Sequence, residues 1–445
     1  FVEHWCVDGD VLRRVEDKCE KGGVRARCWA GADVGECGAA LVGAMTLVRK
    51  GCTLFALTAD PFGAVTVWDA HTGHCYCHVR CHEGPVHCIA VEAEMDAQSQ
   101  QISIATCSTD RTTRLWTLTV PVTVPASSGK EEKEEEARLV NTATLYGHGG
   151  RVWVCACVRV DAGAVLVASG GEDGSARLWT VDAAGRAGSA HIMWAHGGKH
   201  VWALDLHRGR DDACVLTTGG ADGGVVASWV TPDAPDSSHP TPRVVHPPAG
   251  CRGFALSTLL PAPAPAIALF VCDDGTLGID CAEGASTVLA RQKLPFQPSA
   301  ISRVVPVVPH SGDNNNGETD EDAEGGGGEG NEWLVAVAGP RGELAVVEFC
   351  VDDFGAATIT LTPEDEDKDK EETDGRVVSV FAVRATDAWL FVTCTWRGVL
   401  RVWRRADTAS PCEVLVPCGA CELPPPPPRS SRGGAAPHCV ATCCA

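Results

Sequence analysis

Apolar and polar residues alternate along most of this chain in short runs, each closed by Gly, Asp, Ser or Pro. That period of two, rich in Val, Ile and Thr, predicts strands and tight turns. No long stretch carries the spacing of an amphipathic helix. Three runs line up with one another: QISIATCSTDRTTRLWTL (101–118), VLVASGGEDGSARLWTV (165–181) and VLTTGGADGGVVASWVT (215–231). Each reads as an apolar strand, a hydroxyl residue, a turn carrying Asp, and a strand ending in Trp. Upstream of each, a His beside Gly leads into a further alternating strand: CHEGPVHCIAV (81–91), GHGGRVWVCACV (147–158) and AHGGKHVWALDL (195–206).

The spacing has a structural logic. Trp follows Asp by six residues in two copies, Asp110 to Trp116 and Asp173 to Trp179; from Asp222 to Trp229 one residue is added, as a bulge would add it. Thr106, Ser169 and Thr218 each precede their Asp by four. One four-stranded sheet can bring the turn Asp, the His, the hydroxyl and the indole N–H together, so that every buried polar group has a partner. The expected sets are His82/Thr106/Asp110/Trp116, His148/Ser169/Asp173/Trp179 and His196/Thr218/Asp222/Trp229.

This pattern resembles the blades of WD-repeat β-propellers. Weaker copies follow the same outline. Residues 55–73 keep Trp68 and Asp69 with a longer turn. Residues 389–405 keep Thr393 and Trp403 but place Arg397 where Asp is expected, and 266–282 and 333–350 keep only strand, turn and strand. The expected fold is all-β: a seven-bladed WD-repeat propeller over about residues 20–416, with disordered acidic insertions. Residues 1–19 read as the end of a preceding or closing blade, and 417–445, rich in Pro, Gly and Cys, as a disordered tail.

Charge changes the picture in one respect. The runs 130–136, 313–332 and 364–374 carry net charges of −3, −8 and −6, most of the chain's −21. Each reads as a solvated insertion, leaving a nearly neutral body that can meet an acidic partner. Blade order puts the first two runs on the face opposite the His turns. The 24 cysteines sit mostly inside apolar strand patterns and read as reduced, buried, small hydrophobes of a cytosolic protein. The densest stretch, HCYCHVRCHEGPVHC (74–88), invites a metal reading. Period two puts Cys75, Cys77 and Cys81 on the face of Val79, however, and the paired C-x2-C form is missing, so burial is the simpler account and no metal is expected. The pairs Cys75/Cys77 and Cys155/Cys157 stand as secondary reactive-thiol candidates.

No phosphate-binding loop, nucleophile elbow, zinc-protease motif or dinucleotide fingerprint occurs, and no apolar run is long enough to cross a membrane. The reading is therefore a protein without catalytic residues or cofactor that offers surfaces. Two blades sharpen it. GHGGRVWVCACV…ASGGEDGSARLW (147–179) and HGGKHVWALDLH…TTGGADGGVVASW (196–229) each place a basic residue and then a Trp just after the His turn. These segments are similar to the WD-repeat partner subunits of tRNA ribose 2′-O-methyltransferases acting at the anticodon wobble nucleotide. Members of that family are longer and carry several propellers. The resemblance implies a scaffold whose partners are the methyltransferase catalytic subunit, which holds S-adenosylmethionine, and tRNA. Arg151, Trp153, Lys199, His200 and Trp202 are its candidate contacts, Arg and Lys to phosphates and Trp to a base or a protein pocket. The alternative for Trp153 and Trp202 is core packing between sheets. The competing functions are a generic interaction scaffold and a ubiquitin-ligase substrate receptor; the W-D-x-R ending frequent in the latter is absent, the strand ends reading WDAH, LWTL, LWTV and VWRR.

Overall fold

The computed structural model describes residues 5–8, 11–14, 43–50, 53–69, 75–92, 101–120, 137–160, 163–208, 214–230, 243–246, 255–259, 267–281, 288–302, 305–306, 331–351, 357–362, 376–384, 388–396, 399–406 and 416–422. Their regular structure is built from antiparallel strands. Among the described residues, the short hairpin Trp5–Asp8/Val11–Arg14 pairs only with itself. Seven sheets follow, blades 1 to 7, spanning 44–80, 86–145, 152–193, 201–246, 255–293, 300–362 and 377–422. Six have four strands in chain order. Blade 6 has five, because its inner edge is split into Ala300–Ile301 and Val305–Pro306, both paired with Asn331–Ala338. The inner strand of each blade lies against that of the next, and Val377–Arg384 of blade 7 meets Ala44–Lys50 of blade 1, so the ring closes. The described strands form a seven-bladed β-propeller.

Burial explains why the second strand of each blade is so apolar. Val165–Gly171, Cys214–Gly220 and Ile267–Cys272 are buried at every position, since a neighbouring sheet covers each face. Outer strands recover the alternation, as Arg138–Leu145 does. The apolar core is accordingly a set of wedges between sheets. Phe55, Leu57 and Val67 of blade 1 meet Ile102, Ile104, Trp116 and Leu118 of blade 2. Cys107 and Leu115 of blade 2 meet Val152, Cys155, Val167 and Trp179 of blade 3.

The stretch 74–88 lies at the junction of blades 1 and 2. Cys81 is buried; Cys77, Val79 and also Tyr76 pack against the wedge, with Tyr76 5.4 Å from the Phe55 ring, so both faces of this outer strand are partly covered. His78 Nδ1 and Thr66 Oγ1 lie 2.9 Å apart. The side chains of His74 and Cys75 lie outside the described residues. No group of three or more His, Cys, Asp or Glu among the described residues is placed to hold a metal. Cys155 and Cys157 are buried, and burial pushes the Cys155 thiol well above its ordinary range, the opposite of what a reactive thiolate needs. The acidic runs lie outside the described residues.

The turn between the second and third strands repeats from blade to blade. In blades 1 to 6 its third amide donates to the carbonyl three residues back, and that residue has a left-handed backbone. It is Gly63, Gly174, Gly223, Gly275 or Gly342 in five blades and Arg111, with φ 69°, in blade 2. A residue with a Cβ is disfavoured there by ~1–2 kcal/mol, while glycine costs ~0.5–1 kcal/mol in unfolded-chain entropy. Arg111→Gly is therefore expected to stabilise the protein by ~0.5–1 kcal/mol, read as a higher urea midpoint.

Candidate functional site

In blade 2, Trp116 Nε1 donates to Thr106 Oγ1 at 2.9 Å; Thr106 Oγ1 lies 2.8 Å from His82 Nε2, and His82 Nδ1 lies 3.0 Å from Asp110 Oδ2. In blade 3, Ser169 Oγ is 2.8 Å from His148 Nε2, and His148 Nδ1 is 3.0 Å from Asp173 Oδ1. The Trp179 ring packs edge-on to His148 at 6.2 Å. In blade 4, Thr218 Oγ1 is 3.0 Å from His196 Nε2, and His196 Nδ1 is 3.1 Å from Asp222 Oδ1. Strand register adds a refinement there. Thr106, Ser169 and Thr218 face Arg114, Arg177 and Val226; two positions on stand Trp116, Trp179 and buried Ser228. Pairing is continuous from Gly219–Val225 to Cys214–Val230, with no bulge, so Ser228 occupies the Trp slot in blade 4 and Trp229 stands one position beyond it. The Trp229 side chain lies outside the described residues. In the weaker blades, Trp68 Nε1 donates to Thr58 Oγ1 at 3.3 Å, while Trp403 Nε1 is buried without a partner among the described residues.

Each Asp also closes its own turn. Asp173 accepts from the backbone amides of Gly149 (2.8 Å) and Ser175 (3.1 Å) and from Ser175 Oγ (2.8 Å). Burial alone would raise the Asp173 and Asp110 carboxyls, but these hydrogen bonds and the neighbouring imidazoles outweigh it and hold both below the ordinary carboxylate value. Burial lowers His148 and His196 against the pull of Asp173 and Asp222, favouring neutral rings. A carboxylate can only accept, so Nδ1–H donates to Asp173 and Nε2 accepts from Ser169.

These shifts set the pH dependence of stability. Above the unfolded histidine value of about 6.5, both states hold neutral imidazole and the contribution is complete. As the pH falls below that, the unfolded chain binds protons that the folded chain resists, and stability declines until the lower folded values are reached. The depressed carboxyls of Asp110 and Asp173 add a second loss that begins as the pH falls below about 4. The urea midpoint is expected to drop between pH 7 and 5 and again below pH 4. Replacing His148 and His196 by Asn should flatten the first step.

The other candidate residues converge at the His-turn end of the inner strands. Strand pairing skips His87 between Val86 and Cys88, Trp153 between Val152 and Val154, and Trp202 between Val201 and Ala203. The same bulge in three successive blades thus lifts one ring out of the ladder. His87 and Trp153 centroids lie 4.6 Å apart, Trp153 and Trp202 5.0 Å, and Trp202 and His200 5.4 Å, with Arg151 Cζ 5.7 Å from the Trp153 centroid. All four rings are half-buried rather than core. Trp153 Nε1 is enclosed and has no hydrogen-bond partner among the described residues. His87 is fixed by Thr109, at 2.7 Å, and burial followed by the Arg151 charge lowers its pKa.

Arg151 is exposed and reaches Glu172 at 3.7 Å; Lys199 and Arg111 are exposed and form no ion pair among the described residues. Glu172 N donates to Arg151 O, and Ala221 N donates to His200 O, so Arg151 and His200 are structural equivalents and Lys199 stands one place before. The tops of blades 3 and 4 meet main chain to main chain: a Cβ on Gly174 would lie 2.7 Å from the Gly198 carbonyl carbon. The sequence reading missed His87, Arg111 and Glu172. His87 shares with both tryptophans the position after the strand-opening valine, and Arg111 stands where the other turns carry glycine. Those were the available signals.

The repeat architecture and the His–Asp turns define a WD-repeat propeller. The family model described as WD domain, G-beta repeat matches residues 73–117 and 139–180. Among solved structures, one titled "Structure of U3-55K" aligns at 17% identity and a TM-score of 0.49, covering 80% of this chain and 88% of that one. No curated protein matches the sequence.

Proposed function

We propose that this propeller is a non-catalytic platform that partners the catalytic subunit of a tRNA ribose 2′-O-methyltransferase and positions tRNA for methylation at the wobble nucleotide. The observation that carries the reading is the convergence of Arg151, Trp153, His200 and Trp202, with Lys199 beside them, on one rim of the ring. The likeness of segments 147–179 and 196–229 to that family of partner subunits supports it. Fixing a tRNA against a second subunit removes rotational and translational freedom from the methyl transfer, which is worth several orders of magnitude in rate when the reacting atoms are held in line.

The test is deletion of the gene with mass-spectrometric measurement of 2′-O-methylated wobble nucleosides. Methylation is expected to fall at least tenfold, to return with the wild-type gene, and to stay low with Arg151→Glu/Lys199→Glu. Unchanged methylation in the deletion strain rules the proposal out.

A further inference from the structure

Three cations crown three successive blades: Arg111 on blade 2, Arg151 on blade 3 and Lys199 on blade 4. Arg111 is the only described non-glycine residue with a left-handed backbone, at a turn position held by glycine in five other blades. The fold accommodates an unfavourable conformation to keep a guanidinium there, and such strain clusters at working surfaces. Beneath the arc runs the ring series His87, Trp153, Trp202, His200. Outside it, Tyr146 and Trp194 are 71% and 60% exposed. Each follows the outer strand of one blade and stands five residues before the cation of the next, Arg151 or Lys199, across a glycine-rich His turn. Along the chain, the turns leading into blades 3 and 4 therefore each run aromatic, cation, aromatic: Tyr146, Arg151 and Trp153, then Trp194, Lys199 and Trp202.

We infer that this surface binds a short single-stranded stretch of RNA, with bases stacking on Tyr146 and Trp194 and phosphates held by Arg111, Arg151 and Lys199. The choice of RNA rests on the function proposed above; the surface chemistry is that of single-strand recognition in general. Flat rings beside point charges at a repeated interval match a chain that alternates π-faces with phosphates. A duplex stacks its bases internally and leaves the exposed rings without partners. The acids at this end are each engaged, Glu172 by Arg151, Glu83 by Arg80, Asp110 by Arg114, Asp173 by Arg177 and Asp222 by His196, while Arg111 and Lys199 form no ion pair among the described residues.

The experiment is fluorescence anisotropy of the purified chain with a fluorescein-labelled 12-nucleotide RNA of mixed sequence. The same sequence as DNA and as an RNA duplex are comparison arms. Saturable binding to the single strand is expected, at least tenfold tighter than to the duplex. Three phosphate contacts predict a log–log salt slope of about −2. Trp194→Ala should weaken binding at least fivefold. Lys199→Glu should weaken it about tenfold, and Arg111→Gly about threefold with a salt slope shallower by about 0.7. Arg111→Gly is the decisive variant, because its fold is not endangered. Ile192→Ser, on the outer edge of blade 3, should bind as wild type.

Absence of saturable binding, or affinity unchanged in both Arg111→Gly and Lys199→Glu, overturns the inference. So does RNA binding that survives Trp194→Ala while capture of the methyltransferase subunit is lost, since the face then belongs to a protein. Preference for the DNA strand over the RNA keeps the stacking surface and overturns the assignment of RNA. If wobble methylation depends on the gene yet the isolated chain binds no RNA, the function proposed above stands and this inference falls. If the chain binds RNA and the deletion strain methylates normally, the RNA surface stands and the proposed function falls.

Discussion

Replacing Asp173 by alanine is expected to destabilise the propeller by ~3 kcal/mol, measured by urea unfolding followed through tryptophan fluorescence. The carboxylate receives His148 Nδ1–H, Ser175 Oγ–H and the amides of Gly149 and Ser175, and Arg177 approaches to 3.7 Å. Hydrogen bonds to a charged group are each worth ~1.5–3 kcal/mol, and a buried donor left unmet costs ~1–3 kcal/mol. Water recovers the exposed Gly149 amide, but it does not reach the His148 ring, whose side chain is 1% exposed. The buried imidazole therefore supplies most of the loss. Asp173→Asn should retain part of it, because the amide oxygen still accepts. Asp222→Ala should cost less, since Asp222 is more exposed and its turn is a glycine pair. A loss below ~1 kcal/mol for Asp173→Ala would mean that solvent already serves the turn.

An effect of similar size is expected on the opposite face. Arg159 of blade 3 reaches across to Glu92 of blade 2, with Nη2 3.0 Å from Oε2, and it also donates to Ser103 Oγ at 2.9 Å. Glu92 is 1% exposed, and its Oε1 accepts from the Ser103 amide. Glu92→Ala should cost ~3 kcal/mol, the lower end for breaking a buried ion pair, because Arg159 keeps partial contact with water at 30% exposure. The paired replacement Glu92→Met/Arg159→Met should regain at least half of that, since it removes both desolvated charges. A double-mutant cycle read by urea unfolding isolates the coupling. Additive single effects would show that the two groups do not depend on each other.

What could be read from the chain follows from how local each feature is. Strand alternation and the Asp-centred turns are set within a dozen residues, so seven sheets and three His–Asp pairs were legible from spacing alone. The Trp slot of blade 4 was not, because the interval of six from Asp222 ends on Ser228, and only the register with Thr218 shows that no bulge carries the neighbouring Trp229 into the slot. With a period of two, one residue of offset is a change of face. His87 escaped notice because its role depends on a bulge, and a bulge is decided by the partner strand. Arg111 escaped because an arginine in a turn looks solvated until its backbone angle is known. Glu92 and Arg159 belong to different repeats and meet only when two blades pack.

Every sheet takes all its strands from one continuous piece of chain, and the first and last blades meet through their inner strands, Ala44–Lys50 and Val377–Arg384. Among the described residues, no main-chain hydrogen bond crosses that junction. Among the described residues, the annulus therefore has a seam at which no strand is lent from one sheet to the other. Opening at that line would break no described ladder, so each wedge would keep its own hydrogen bonds.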